Sequence, residues 1–201
     1  MVGEFWDEMY AGEEYRYGLA PNAWLAECEP RLPRGSQVLC VGDGEGRNGV
    51  WLAERGHRVT TIDASSRGAD KARALAERRG VTLDVRVGMF PADLDATGFD
   101  AVVLTFIHTA PENRPGLHEA VVDRLAPGGV VVLEAFTPEQ LAYSSGGPRN
   151  PAMLYTPAQL AEDFSRLDLA VLEAREVVHD EGPGHRGTAA VVRLFGRRDD
   201  S

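Results

Sequence analysis

From Gln37 onward, short apolar runs alternate with stretches whose apolar residues recur every three or four positions, the pattern of strands alternating with helices. The runs Gln37–Val41, Arg58–Ile62, Thr82–Val87, Asp100–Phe106 and Val130–Phe136 predict five strands. Asn48–Arg55, Ser66–Arg79 and Glu112–Leu125 predict the helices between them. Links this short suit strand–helix–strand units, which stack into a mostly parallel sheet with helices on both faces.

Further along, Thr156-Pro157-Ala158-Gln159 has the form of a capping box with proline at the first helical position, predicting a helix to about Phe164. Ala170–His179 and Thr188–Phe195 then flank the turn-rich Glu181–Gly187, which reads as the loop of an antiparallel hairpin. The expected fold is therefore α/β, Rossmann-like and doubly wound, with a mostly parallel seven-stranded sheet that ends in an antiparallel C-terminal hairpin. The segment before Gln37 differs: WDEMYAGEEYRYG is rich in aromatic residues and has no strand pattern, and a helix is expected from about Asn22 to Arg31. Residues 1–36 are read as a cap on the same domain, 37–196 as its body and 197–201 as a polar tail.

Composition narrows the partners. A chain of 201 residues suits one domain, and no apolar run approaches the roughly 20 residues of a membrane span. Its first residues lack the basic patch and apolar stretch of a secretory signal. Cys28 and Cys40 have no metal-type spacing and are expected to be reduced packing residues, which favours the cytoplasm. The net charge of −10 opposes a phosphate backbone. A small substrate is expected, with no nucleic acid, no membrane and no metal.

The chemistry concentrates in VLCVGDGEGRNGVWLAERGHRVTTID, from Val38 to Asp63. A strand that ends in a glycine-rich turn and feeds a helix leaves backbone N–H groups free at its carboxyl edge. Gly44-Glu45-Gly46-Arg47-Asn48-Gly49 matches the dinucleotide spacing G-x-G-x-x-G, but the pattern in register with the strand is Gly42-x-Gly44-x-Gly46, with Gly49 left for close packing inside the helix. Asp63 ends the next strand about 20 residues on, where a carboxylate accepts from ribose hydroxyls. Turn and acid together point to a nucleoside-bearing cofactor.

Four stretches carry a resemblance: Arg47 and Asn48 in GEGRN followed by VWLAERGHRV, the acid Asp63, Leu125-Ala126-Pro127-Gly128-Gly129 before VVVLEAF, and the C-terminal hairpin. With them the chain resembles a class I S-adenosylmethionine-dependent methyltransferase, most of all the small tellurite-resistance and thiopurine-methyltransferase-like branch, over nearly everything from Gln37 to Phe195. The resemblance implies S-adenosyl-L-methionine as cofactor, held by Gly42, Asp43, Gly44, Gly46, Arg47, Asn48, Asp63, Ala64, Met89, Phe90 and Thr105. Two positions depart from the pattern. Cys40 stands where many members carry an acid, which Asp43 either partly replaces or does not, and Gly88-Met89-Phe90 lacks the acid that often holds the adenine amino group.

The reaction so implied is methyl transfer to a small molecule, the resemblance favouring a thiol or other soft chalcogen; a sulfonium already provides the leaving group, so the protein has mainly to align a nucleophile. Ligands of such sheets bind at the carboxyl ends of the strands. There His108 either accepts a proton or only bonds backbone, and the hairpin brings His185 and Arg186, the latter either holding an anionic substrate or solvated. His108, Tyr17 and Arg186 are the catalytic candidates. Trp6, Tyr10, Tyr155 and His185 are candidates for a lid or substrate wall, since aromatic faces attract cations, with packing as the other reading. His57, His118 and His179 read as structural, and Gly146-Gly147-Pro148 as an edge of the pocket. Two other functions compete: an NAD(P)-dependent oxidoreductase using Gly44 to Gly49, and a nucleoside-cofactor-binding protein without catalysis.

Overall fold

Hydrophobic alternation settles the sheet. A computed structural model describes residues 2–199; Asp200 and Ser201, expected in the tail, lie outside the described residues. The helices are α1 (Val2–Met9), α2 (Ala23–Cys28), α3 (Arg47–Glu54), α4 (Ser66–Arg79), α5 (Arg114–Arg124) and α6 (Pro157–Asp163). The strands are β1 (Gln37–Val41), β2 (Arg58–Asp63), β3 (Asp84–Val87), β4 (Phe99–Thr105), β5 (Leu125–Phe136), β6 (Leu167–Asp180) and β7 (Arg186–Arg198). They form one sheet in the order β3-β2-β1-β4-β5-β7-β6, parallel except for β7, which pairs antiparallel with both β5 and β6. The Rossmann-like architecture read from the sequence is the one observed.

Because side chains alternate across a strand, β1 divides its apolar residues between two cores. Leu39 and Val41 belong to one core with Val121 and Val122 of α5, Leu160 of α6 and Phe164 just after it. Val38 and Cys40 pack with Trp24, Leu25 and Cys28 of α2 and Leu52 of α3. Both cysteines are free and buried, as expected. Strands covered on both faces carry near-continuous apolar runs, which is why β1 and β4 were easily found. Pairing of β1 with β2 on one side and β4 on the other makes the strand order reverse there, and the crevice at such a switch point is where open α/β sheets bind ligands.

Local chemistry fixed several boundaries. Ser65 accepts from Gly68 N at the start of α4, and Gly80 ends it in the left-handed conformation, so the helix spans the expected residues. The capping box of Thr156 and Gln159 is formed. Three departures stand out. The N-terminal segment contains α1, which was not predicted; its Asp7 carboxylate accepts from Ser65 Oγ and Arg67 N, so α1 lies across the start of α4. The L-A-P-G-G stretch joins β5 through a register shift opposite Phe99 and Ala101. Arg197 and Arg198, expected in the tail, belong to β7, where Arg198 donates to Leu125 O at 2.7 Å.

The core makes a direct prediction. Leu104, only 1% exposed in β4, should cost roughly 2–5 kcal/mol on change to alanine. Val178→Ala, at an 80% exposed position, should stay within about 0.5 kcal/mol. Urea denaturation of the two variants checks both values.

Candidate active site

The turn after β1 closes on the end of β2 through backbone donors. Gly42, Gly44 and Gly46 all have positive φ (63°, 56° and 87°). Gly42 N donates to Ile62 O at 2.7 Å, and Gly44 N donates to Asp63 Oδ2 at 2.8 Å. The other carboxylate oxygen, Oδ1, accepts from Ser65 N at 2.8 Å. An ionised carboxylate has about four acceptor positions, so Asp63 keeps capacity for ribose hydroxyls while the turn holds it in place. Gly49 is a packing glycine, as expected: a Cβ there would lie 2.6 Å from Asp43 Oδ2 and 2.7 Å from Thr61 Cγ2. Asp43 accepts from Gly49 N, but its Oδ1 is buried without a hydrogen-bond partner. Burial, opposed by the Gly49 amide and reinforced by the charge of Asp63, pushes its pKa up to about 7.

Near this turn lies a cavity of about 390 Å³, lined by Ala64, Gly88, Met89 and Asp93 from the loops after β2 and β3, by Ser66 at the start of α4, and by Gly3 and Asp7 of α1 among others. Met89 and Ala64 reach it as expected. Phe90 does not: it packs against the core, with the Arg124 guanidinium over its ring. Asp93, missed in the sequence, supplies a carboxylate near the position that seemed to lack one. The turn through Pro91 brings it back so that its Oδ2 accepts from Met89 N at 2.7 Å. A Pro-Ala-Asp turn signal after the third strand was the clue. The turn amides expected to be free are instead bonded within the protein, Gly46 N to Asp43 O; the cavity and the carboxylates of Asp63 and Asp93 are what fit a nucleoside cofactor.

Aromatic rings run from α1 across the crevice. Trp6 stacks on Tyr10 at 5.6 Å, Tyr10 meets Tyr17 edge-on at 6.5 Å, and Tyr17 meets His185 at 4.4 Å. Tyr10 lies so close over the turn that a Cβ on Gly44 would fall 2.5 Å from its hydroxyl. Burial and the charge of Asp63 raise its pKa, so the phenol stays protonated. Beyond Tyr17, the ring of Phe106 contacts His185, Phe136 and His179 at 4.4, 4.6 and 5.4 Å. Phe106 is a non-glycine residue with φ of 58°, a conformation that costs roughly 1–3 kcal/mol and clusters at functional sites.

A buried ion pair holds this cluster. Arg47 Nη2 meets Glu181 Oε2 at 2.8 Å and Nη1 donates to Tyr17 O, tying α3 to the hairpin and the cap. Asn48 accepts from Asn22 N and donates to Thr105 Oγ1. The polar ends of Arg47, Asn48 and Thr105 are thus spent on neighbours. Although burial pushes Glu181 up, His185 and Arg47 pull its pKa down to about 2. His185 Nδ1 and His179 Nε2 are buried without hydrogen-bond partners; burial lowers both pKa values, leaving the imidazoles neutral. His179 thus packs edge-on against Phe106 at 5.4 Å beside His185.

The other candidates separate. His108 Nδ1 contacts Met153 O at 2.7 Å and its Nε2 accepts from Phe136 N, and burial lowers its pKa to about 4. Both nitrogens bond backbone, so the ring joins two loops and has no nitrogen left for a proton from substrate. Tyr155 is buried in the core with its hydroxyl accepting from Thr109 N, not at a substrate wall. Arg186 turns outward toward Asp180. His118 bonds Asp163 and His57 contacts Glu29, both structural as expected.

The methyltransferase-domain family profile matches residues 38–129. A 2-heptyl-1-hydroxyquinolin-4(1H)-one methyltransferase of Mycobacteroides abscessus is 31% identical over 160 residues, 72% of this chain and 69% of that protein. Two solved structures share the fold. TehB of Haemophilus influenzae has a TM-score of 0.73 at 15% identity, covering 98% of this chain and 67% of that one. The N-methyltransferase NodS of Bradyrhizobium japonicum, solved with S-adenosyl-L-homocysteine, has a TM-score of 0.72 at 16% identity and covers 98% of both chains.

The raised pKa of Asp43 has a signed consequence. From about pH 4 to about pH 7 the folded protein keeps a proton that the unfolded chain has lost, so stability falls as pH rises through that window. Asp43→Asn removes this contribution. The stability of the variant relative to wild type should therefore increase from pH 4 to pH 7 and level off above, as read by urea unfolding across that range.

Proposed function

The chain belongs to the class I S-adenosylmethionine-dependent methyltransferases, with S-adenosylmethionine as cofactor, and from that premise we propose that it methylates a small molecule through a soft nucleophile such as a thiol. One observation supports this placement of the cofactor: the carboxylate of Asp63, bonded to Gly44 N, directly precedes Ala64, which lines the cavity with Met89 and Asp93. On this reading Asp63 binds the ribose, Asp93 and Met89 border the adenine, and the rings of Tyr10 and Tyr17 cover the sulfonium. When bound, the cofactor supplies an electrophilic methyl group and a neutral thioether leaving group.

The acceptor is placed under the hairpin, against Phe106. The residues there are aromatic rings and neutral imidazoles in mutual contact, and such neighbours suit sulfur, whose contacts with aromatic rings contribute roughly 0.3–1.5 kcal/mol. Phe106 and Tyr17 orient the nucleophile and exclude water. His185, whose Nδ1 faces Glu181 Oε2 at 3.6 Å, receives the thiol proton on Nε2, with the carboxylate stabilising the imidazolium from the Nδ1 side. Tyr17, whose pKa burial raises, donates rather than accepts. The enclosure by cap and hairpin and the charge of −10 both favour a small acceptor over a nucleic acid. Among the described residues no helix is long and apolar enough to cross a membrane.

Two measurements test this. Calorimetry should find that Asp63→Ala weakens S-adenosylhomocysteine binding by about tenfold or more, the scale of lost hydrogen bonds to a charged group, while NAD does not bind wild type. Labelled methyl from S-adenosylmethionine should enter thiophenol faster than phenol. Label entering only tRNA, or phenol faster than thiophenol, would reject the acceptor class.

A further inference from the structure

A second cavity, about 470 Å³, opens where the Leu141–Ser145 segment meets the start of β7, a size within the range of small-ligand pockets. Tyr143, Ser144 and Thr188 give it a polar wall, and two guanidinium groups from separate segments, Arg149 and Arg186, border it. Arg149 spends one N–H on Tyr143 O at 3.0 Å, which fixes the direction of its fork. Arg186 Nε lies 3.4 Å from Asp180 Oδ1, with the two side chains 72% and 86% exposed. Ion pairs this exposed contribute little, so Asp180 is a weak competitor for the arginine. The Tyr143 hydroxyl is bonded to Glu176, which leaves that acid engaged at the far end of the tyrosine.

The cavity sits one backbone layer from the imidazole cluster. Ser145 closes its floor by donating to Thr188 O at 2.6 Å. Behind it come Gly146 and Gly147, where an added Cβ would meet His185 Cδ2 at 2.7 Å and Phe136 Cδ2 at 2.8 Å. The backbone of residues 145–147 therefore packs directly on the rings around Phe106 and walls the cavity off from them.

We infer that this cavity binds an oxyanion, a carboxylate or phosphate clasped between Arg149 and Arg186 with Asp180 displaced. It is an outer site, separated from the rings around Phe106 by the backbone of residues 145–147, and it binds its ligand whether or not the cofactor is present. The planar fork of arginine matches such groups in two-point contact, and Ser144 adds a hydroxyl donor.

The test titrates benzoate, phenyl phosphate and neutral benzamide into the isotope-labelled full chain, following backbone amides by NMR. Saturable shifts at residues 141–149 and 186–188 are expected with benzoate, phenyl phosphate or both, the comparison identifying the favoured oxyanion, and none with benzamide. Arg149→Gln and Arg186→Gln should each weaken binding about fivefold or more, as loss of a charge-assisted contact does. Asp180→Asn should strengthen it, because a competing carboxylate is gone. Equal shifts with benzamide, shifts confined to other residues, an unaffected double variant, or weaker binding by Asp180→Asn would overturn the inference. S-adenosylhomocysteine calorimetry on the same samples separates the two readings: intact binding with no benzoate response sinks only this one.

Discussion

The Arg47–Glu181 ion pair is the contact on which the site depends. It joins residues 134 positions apart, the first turn of the glycine-turn helix and the tip of the C-terminal hairpin. Both partners are buried, and removing two charges from water is so unfavourable that such a pair rarely adds net stability over well-packed apolar residues. What it adds here is position. Breaking one side leaves an uncompensated buried charge, at a cost of roughly 3–5 kcal/mol. The hairpin tip, α3 and the Tyr17 carbonyl are thus fixed as one unit, and with them the distance between the cofactor turn and the roof over Phe106.

A second buried network repeats the logic one layer down. Asn22, the N-cap of α2, donates to Glu134 Oε2, and Glu134 Oε1 accepts from Arg193 at 2.7 Å. Arg193 in turn lies over the Trp24 ring at 5.2 Å. The chain from the cap through β5 to β7 is therefore held by polar groups that satisfy one another, the condition under which buried polar groups specify a unique arrangement. Cap, turn and hairpin come from three distant parts of the sequence, yet their relative placement follows from two carboxylates, Glu134 and Glu181.

This explains what could be read from the sequence and what could not. The strands and α4 were legible because apolar alternation and caps are local, and Gly42, Gly44, Gly46 and Asp63 were legible because turn chemistry has fixed spacing. Arg47 and Asn48 were recognised as site residues, but their partners Glu181, Tyr17 and Asn22 have no sequence signature, so their structural use was hidden. The surroundings of His108 and His179 were hidden for the same reason. A histidine's function depends on what its two nitrogens face, and Met153 O and the Phe136 amide face those of His108. α1 escaped notice because its cohesion comes from Asp7 bonding to Ser65 and Arg67, about 60 residues away, more than from its own apolar stripe.

Two buried acids at the ends of the same unit show how partners override burial. Glu181 faces Arg47 and His185 and is held at about 2; Asp43, with one oxygen unpartnered and Asp63 close by, is driven to about 7. Near neutral pH the hairpin carboxylate is therefore charged and the turn carboxylate is close to half protonated, while the imidazoles stay neutral. A cationic sulfonium approaching the turn would meet Asp43 and Asp63 together, and its charge favours the ionised form of both. Asp43 thus need not contact the cofactor to respond to it. On the proposed placement of the cofactor, positive charge arriving at the turn draws off the proton that burial keeps on Asp43, so cofactor binding should expel a proton at pH 7 in a way that Asp43→Asn abolishes, measurable as a buffer-dependent heat of S-adenosylmethionine binding; a heat independent of buffer in wild type would refute the coupling.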